Sequence, residues 1–237
     1  MNALTDAAAA PMPVQSFVAD ARHFRRHVAT ARPAWSDRLG LWMDQLAALV
    51  LLILLSPVML VVTALIWRSD GAPILFGHYR VGQHGRLFRC LKFRSMYRSS
   101  EQMLKDLLER DEAARAEWER DHKLLNDPRV TPIGNFLRRT SLDELPQLFN
   151  VLRGEMSLVG PRPITVAELP RYGRVRWHYL SVRPGMTGLW QVSGRNDVSY
   201  EERVELDRRY VESDSLRMRL SILWRTVDVV LHGSGAR

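Results

Sequence analysis

One cysteine, Cys90, in 237 residues leaves no internal disulfide to form, and the chain suits a reducing compartment. No Gly-rich P-loop is present, nor a GxGxxG after a strand, which excludes the two standard nucleotide cradles. "WQVSG" lacks the first glycine of a nucleophile elbow, and no His/Cys set has zinc spacing. His23 and His27 stand four apart without an acidic or cysteine partner, so they read as a solvated basic face. The N-terminus "MNALTDAAAAPMPVQ" has neither a basic n-region nor an apolar h-region, so no signal peptide is expected. Acidic residues are also short: 26 against 34 Lys and Arg, a net charge of +8. Such a chain asks for an anionic partner, whether nucleic acid, anionic lipid or a phosphorylated substrate. No recognition motif for nucleic acid appears, so that partner is not expected.

What is present is one long uncharged run, "LAALVLLILLSPVMLVVTALIW", residues 46–67. About 20 apolar residues cross a bilayer, so a single transmembrane helix is the first reading. Flanking charge opposes it. Arg26, Arg32 and Arg38 upstream balance Arg68, Arg80 and Arg86 downstream, whereas a spanning helix carries a bias to one side. Ser56 and Pro57 at the centre supply a kink, and Ser56 can bond the carbonyls that a kink frees. Both readings stand on these grounds: a span, or a re-entrant segment that returns at Ser56-Pro57.

The organisation follows. Residues 1–15 are expected to be disordered, 16–42 to form a basic amphipathic interfacial segment with Trp35 and Trp42, and 43–68 to enter the membrane. Residues 69–231 then form the main domain, folded around a core outside lipid, and 232–237 a tail. "PILFGHYRVG" and "RLFRCLKFRSM" read as two strands around a turn at Gly82–Gly85. Ser99 or Ser100 should cap a charged helix to about His122. "TPIGNFLRR" gives a short helix, and Ser141 with Glu144 forms a capping box for a helix stopping at Gly154. The Gly/Pro-rich stretch after it reads as loop, and a last helical region covers residues 200–231.

Chemistry concentrates in "RRTSLDELPQLFN". Asp143 and Glu144 are adjacent carboxylates with Arg138 and Arg139 just upstream, equipment for metal-assisted attack on phosphorus. Taken alone, a helix start is the simpler reading of them. In "VGPRP", Arg162 between two prolines has a largely preset direction, as a phosphate clamp or a rigid surface turn needs. "KFRS" adds Lys92 and Arg94 at a strand end.

Together "LSPVMLVVTALI", "KFRSM", "RRTSLDELPQLFNVLRGEMSLVGPRP" and "RPGMTGLWQVSGRN" resemble the bacterial sugar transferase family, the monotopic phosphoglycosyl transferases, over residues 40–231. The resemblance is to the short, catalytic-core form. It implies an α+β, mainly helical fold: a re-entrant membrane helix broken at Ser56-Pro57, and a catalytic domain facing the cytoplasm. It implies transfer of a sugar-1-phosphate from a UDP-sugar to polyprenyl (undecaprenyl) phosphate with release of UMP. Asp143 would be the nucleophile, forming an aspartyl-phosphosugar intermediate, and Glu144 with Asp143 would hold Mg2+. Lys92, Arg138 and Arg162 would attend phosphates, and Arg94, Arg183, Gln191, Arg195 and Asp207 would contact substrate. The "TGLWQVSGRNDVSYEERVELDRRYV" run most resembles the hexose-transferring branch, galactose or glucose, that begins exopolysaccharide or O-antigen synthesis. The expected location is the bacterial inner membrane with both termini cytoplasmic. The bilayer is then a partner, and a second copy of the chain a candidate one. A non-catalytic membrane scaffold is the alternative.

Overall fold

The computed structural model describes residues 34–121, 124–194, 198–213 and 215–232. It is mainly helical with two small sheets. Helix α1 (Ala34–Asp70) leads into an antiparallel hairpin, β1 (Leu75–Val81) and β2 (Leu87–Phe93). Helices α2 (Ser100–Arg110), α3 (Glu112–Asp121), α4 (Pro132–Arg139) and α5 (Gln147–Leu152) follow. Strand β3 (Ser157–Val159) pairs in parallel with β4 (Gly185–Thr187), with α6 (Arg176–Ser181) between them. Helices α7 (Tyr200–Ser213) and α8 (Leu216–His232) close the chain.

Helix α1 runs unbroken through Ser56 and Pro57, which corrects the expected break. Its physical reason is local. Proline cannot donate to the carbonyl four residues back, and that carbonyl, of Ile53, instead accepts the Ser56 hydroxyl at 2.8 Å. The helix also begins before residue 43, joining residues 34–42 to the apolar run. At 1.5 Å per residue it is about 55 Å long.

One stripe of α1 lies on the domain along most of this length. Ala48, Leu51, Leu52 and Leu55 pack into the main core with Leu148, Val151, Met156 and Tyr210. Met59, Val62 and Ile66 pack with Phe93 and Leu137. These positions recur every three or four residues, the period of one helix face. Polar ties hold both ends of the stripe. The Ser157 hydroxyl donates to Asp44 at 2.6 Å, and Gln45 donates to the Leu152 carbonyl at 2.8 Å. At the far end Arg94 pairs with Asp70 at 2.9 Å, and the Arg98 amide donates to Asp70 at 2.8 Å. The opposite face, including Leu46, Val50, Ile53, Leu54, Leu60, Val61 and Trp67, is exposed.

The hairpin is as expected, with His84 (φ 59°) and Gly85 (φ 76°) supplying the left-handed backbone of its turn. Helix α4 begins at Thr131, whose hydroxyl accepts the Gly134 amide at 2.9 Å, and ends at Arg139. Gly134 lies against the Ser95 backbone so closely that a Cβ would stand 1.9 Å from the Ser95 oxygen. Elsewhere the expected elements are divided. The charged helix breaks at Asp111 into α2 and α3, and Ser99 makes no side-chain cap. The stretch expected as loop contributes β3, β4 and α6, its glycines serving close backbone approach: a Cβ on Gly185 would meet the Gly160 amide at 2.0 Å.

Asn150 joins the hairpin to α5. Fully buried, it accepts the Leu91 amide at 3.0 Å and donates to the Arg89 carbonyl at 2.9 Å. It thus pairs with a strand edge as a neighbouring strand would. The same NH2 donates to Glu155 at 2.6 Å. Asn150→Ala orphans two backbone groups and should lower stability by about 3 kcal/mol, read as a Tm drop of roughly 6–12 °C. Asn150→Asp should be no better, because aspartate cannot donate to Arg89 and faces Glu155; thermal melts of both variants check this.

Candidate active site

The turn after α4 sets the two carboxylates. Thr140 closes α4, its hydroxyl donating to the Phe136 carbonyl at 2.9 Å. Ser141 then takes a left-handed conformation, φ 57° and ψ 14°, uncommon outside glycine. Its side chain makes no cap, so the expected capping box is absent. What Ser141 opens is a single 3-10 turn, Leu142–Glu144, before Pro146 starts α5. The stop near Gly154 holds, with φ 72° at that residue.

Lys92, near the end of β2, reaches both acids. Its Nζ donates to Glu144 Oε1 at 2.8 Å and to Asp143 Oδ2 at 3.4 Å. Asp143 is only 8% exposed. Burial pushes its carboxyl above the ordinary aspartate value and Glu144 adds to this, while Lys92 and Arg138 pull it back. Arg138 is held beside the turn by donating to Ser95 Oγ at 2.9 Å. Arg162 brings Nη1 to 3.9 Å from Glu144, with its guanidinium 5.9 Å above the Trp190 ring.

Lys92, Glu144 and Arg162 line a small open cleft together with Arg80, Cys90, Gln147, Pro163, Met186 and Gln191. Lys92, Glu144, Arg162 and Gln191 were expected at the site; Arg80, Cys90, Gln147 and Met186 were not. Strand alternation carries the missing signal. In the hairpin register Arg80 faces Phe88, His78 faces Cys90 and Phe76 faces Lys92, so Arg80, Cys90 and Lys92 share a face. Gln191 donates to the Met186 carbonyl at 3.3 Å, while its Oε1 is buried with no hydrogen bond.

Other expected substrate contacts lie elsewhere. Arg94 is buried and turned to the end of α1, pairing with Asp70 and donating to the Gly71 carbonyl at 2.6 Å. Asp207 is 1% exposed and accepts the Tyr172 hydroxyl at 2.8 Å. It shares the inward face of α7 with Val204, Tyr210 and Val211, three or four residues apart. Burial there pushes its pKa up to about 7. Arg183 is outside the cleft lining and in electrostatic range of Asp44. Arg195, His23 and His27 fall outside the described residues.

Magnesium is a hard ion that takes oxygen ligands and is commonly held by one or two carboxylates together with substrate phosphates. Among the described residues no cluster of three or more His, Cys, Asp or Glu exists. The cleft lining does hold Glu144 and the orphaned Gln191 oxygen, and Asp143 is next to Glu144 in the chain, a donor set that fits such an ion.

An acid pair with one member buried, one lysine across it and arginines nearby equip the cleft to bind phosphate and attack it. A profile of the bacterial sugar transferases matches residues 35–233. The chain belongs to the bacterial sugar transferase family. It is 55% identical over 193 residues to an undecaprenyl-phosphate galactose phosphotransferase of Salmonella typhimurium, covering 81% of this chain and 40% of that one. It is 49% identical to the exopolysaccharide production protein ExoY of Rhizobium meliloti, covering 81% of this chain and 85% of that protein. A UDP-glucose:undecaprenyl-phosphate glucose-1-phosphate transferase of Escherichia coli is 38% identical over 78% of this chain and 38% of its own length. The chain thus spans about two fifths of the Salmonella and Escherichia relatives. The family match includes the dyad turn, the hairpin and most of α1.

The raised pKa of Asp143 makes a prediction about stability. A group whose folded pKa lies above its unfolded value costs stability once pH rises through the folded value, and costs nothing below the unfolded value, near pH 4. Asp143→Asn mimics the protonated acid. Measured in chelator, it should raise Tm at neutral pH, with the gain fading toward pH 4. An unchanged or lowered Tm at neutral pH would contradict the burial argument.

Proposed function

We propose that this protein transfers a hexose-1-phosphate from a UDP-sugar to polyprenyl phosphate at the cytoplasmic face of a bacterial membrane. The carrying observation is the adjacent Asp143-Glu144 pair, with Asp143 buried, bridged by Lys92 beside a cleft that also holds Arg80 and Arg162. Names of the relatives support the substrate classes: undecaprenyl phosphate in the Salmonella and Escherichia proteins, with galactose in one and glucose in the other. Galactose or glucose is therefore the proposed sugar, and exopolysaccharide assembly the proposed setting.

In this reading an Asp143 carboxylate oxygen attacks the sugar-bearing phosphorus. A new P–O bond forms, and the bond from that phosphorus to the bridging oxygen breaks. The bridging oxygen leaves on UMP with the electron pair. A phosphate oxygen of the lipid then attacks the same phosphorus, releasing Asp143 and giving the polyprenyl diphosphate sugar. Burial raises the basicity of Asp143 and so its reactivity once ionised. Lys92 favours the ionised form and orients both acids, while Arg162 neutralises phosphate oxygens. Mg2+, held by Glu144 and Asp143, would add charge neutralisation on those oxygens.

The test is UMP release from UDP-sugars by the full chain in membranes, with mass spectrometry of protein incubated without lipid acceptor. A hexose-phosphate adduct should appear on the peptide holding Asp143. Asp143→Asn should lose it and at least about 10³-fold in turnover. An adduct elsewhere, or full turnover by Asp143→Asn, would reject the nucleophile; no UMP release from any UDP-sugar would favour a membrane scaffold.

Membrane placement follows from α1, which is long and apolar enough to cross a bilayer. Asp44 is tied to Ser157 and Asp70 to Arg94, so both ends of the stripe sit on one folded domain. A polar domain docked along a helix cannot follow it through hydrocarbon. We therefore place α1 in the near leaflet, apolar face to lipid and both flanks on the cytoplasmic side. Arg38→Cys and Ser69→Cys should both resist an impermeant thiol reagent in intact cells, and reaction at one alone would mean a span.

A further inference from the structure

Arg80 comes from β1, outside every segment that the acid pair or the arginine loop supplies. Its side chain is about a quarter exposed (26%) and lines the cleft with Lys92 and Arg162. The charges of Lys92, Glu144, Arg80 and Arg162 all reach the Cys90 thiol in the same cleft wall, so these four groups surround one small volume.

Their partners differ. Lys92 and Arg162 pair with the acids at the reacting centre. Arg80 pairs instead with Glu168, through Nη1 to Oε2 at 3.3 Å. That same oxygen already accepts the Thr165 amide at 2.7 Å and the Thr165 hydroxyl at 2.8 Å. The Arg80–Glu168 contact is the longest of the three. It involves one of five guanidinium N–H groups, so it steers the side chain while leaving a fork of donors for a second anion. Glu168 itself is fixed by Thr165 and is a positioning residue.

A nucleotide diphosphate sugar brings two phosphates. The one bearing the sugar must meet Asp143, Lys92 and Arg162, and the other must lie one phosphate step away. We propose that Arg80 is a further catalytic residue, the cation that binds the nucleotide-side phosphate and stabilises it as UMP is expelled. The proposal rests on the transfer reaction above. As the P–O bond breaks, negative charge grows on the bridging oxygen that departs with UMP. A guanidinium held at that phosphate interacts more strongly with the product dianion than with the diester it came from. Arg80 therefore acts on both nucleotide affinity and the chemical step.

The experiment measures UMP binding and UMP release by the full chain in detergent or membranes. Wild type is compared with Arg80→Ala, Arg80→Lys and Glu168→Gln, each with a thermal melt. Arg80→Ala should weaken UMP binding by roughly 10- to 100-fold, the range carried by a charged hydrogen-bond partner, and should lower kcat as well as raise KM. Arg80→Lys keeps the charge but loses the fork, and should fall between the two while binding UMP more than about twofold more weakly than wild type. It also decides the matter if the alanine variant does not fold. Glu168→Gln should change UMP affinity far less than Arg80→Ala while lowering Tm at least as much, because it loses the ion pair but keeps the guanidinium. UMP affinity within twofold of wild type in a folded Arg80→Ala or Arg80→Lys would overturn the assignment. So would equal losses in Arg80→Ala and Glu168→Gln, which would make the arginine a structural ion-pair partner. A wild type that neither binds nor releases UMP would overturn the transfer reading as well, and so is distinguishable from failure of Arg80 alone.

Discussion

The junction between Asn150 and the edge of β2 is the contact on which the site depends. Lys92 is one residue from Leu91, whose amide Asn150 holds, and the acid turn lies just upstream of Asn150 in the chain. A displaced hairpin would carry Lys92, Cys90 and Arg80 away from Asp143 and Glu144 together. The six-residue helix α5 holds more than the hairpin. Its Leu148 and Val151 sit in the main core against α1, and the Leu152 carbonyl accepts Gln45. One short helix thus fixes the strand that supplies the cations, the turn that supplies the acids and the helix that faces outward.

The electrostatics of the cleft are arranged around an imbalance. Two acids share one lysine, and the more buried acid is held above its ordinary pKa by desolvation. An aspartate in water is a weak nucleophile toward phosphorus because water solvates it. Desolvation removes that solvation at a cost in stability, which is why a neutral substitute there should stabilise the fold. The arginines make weaker contacts. Arg162 is 43% exposed and stands 3.9 Å from its carboxylate, and Arg80 has an oblique pair with Glu168. Cations so placed remain open to an incoming phosphate, whereas Arg94, buried and turned to Asp70 and Gly71, is not. Exposure and direction separate the two kinds of arginine.

Much of this was legible in the sequence, for reasons that differ by element. Alternation and a Gly-containing turn announced the hairpin, and Thr131 with Pro132 announced α4. The acid pair was visible as adjacent carboxylates near arginines, though only the family resemblance lifted it above an ordinary helix start. The capping box failed because Ser141 turns left-handed, and spacing alone carries no φ angle. Asp207 and Arg94 stand apart from the cleft lining, and their burial against Tyr172 and Asp70 is a tertiary fact that a charged residue in a family-like run does not announce. Arg80 was missed for the converse reason. It is one arginine of many, and only the strand register sets it beside Lys92.

Helix α1 shows where sequence reading reaches a physical limit. Its domain-facing and outward faces are built from the same residues, leucine, valine and isoleucine, because protein core and hydrocarbon make similar demands. No amphipathic signal could mark which stripe docks. The polar residues that do mark it, Asp44 and Gln45 at one end and Asp70 at the other, lie outside the apolar run. Both ends bind one domain, so the domain lies alongside the helix rather than beyond it. For the proposed reaction that arrangement has a direct consequence. A soluble nucleotide sugar and a lipid phosphate must present phosphorus and oxygen within a few ångströms of one aspartate. In the placement proposed above, a helix docked flat would keep the cleft at the depth where lipid phosphates lie, and a helix standing across the bilayer would not by itself fix that depth. Ser56 would serve the same placement, since its hydroxyl bonds the Ile53 carbonyl that Pro57 cannot reach, an acceptor that would otherwise stand bare if this turn lies in hydrocarbon.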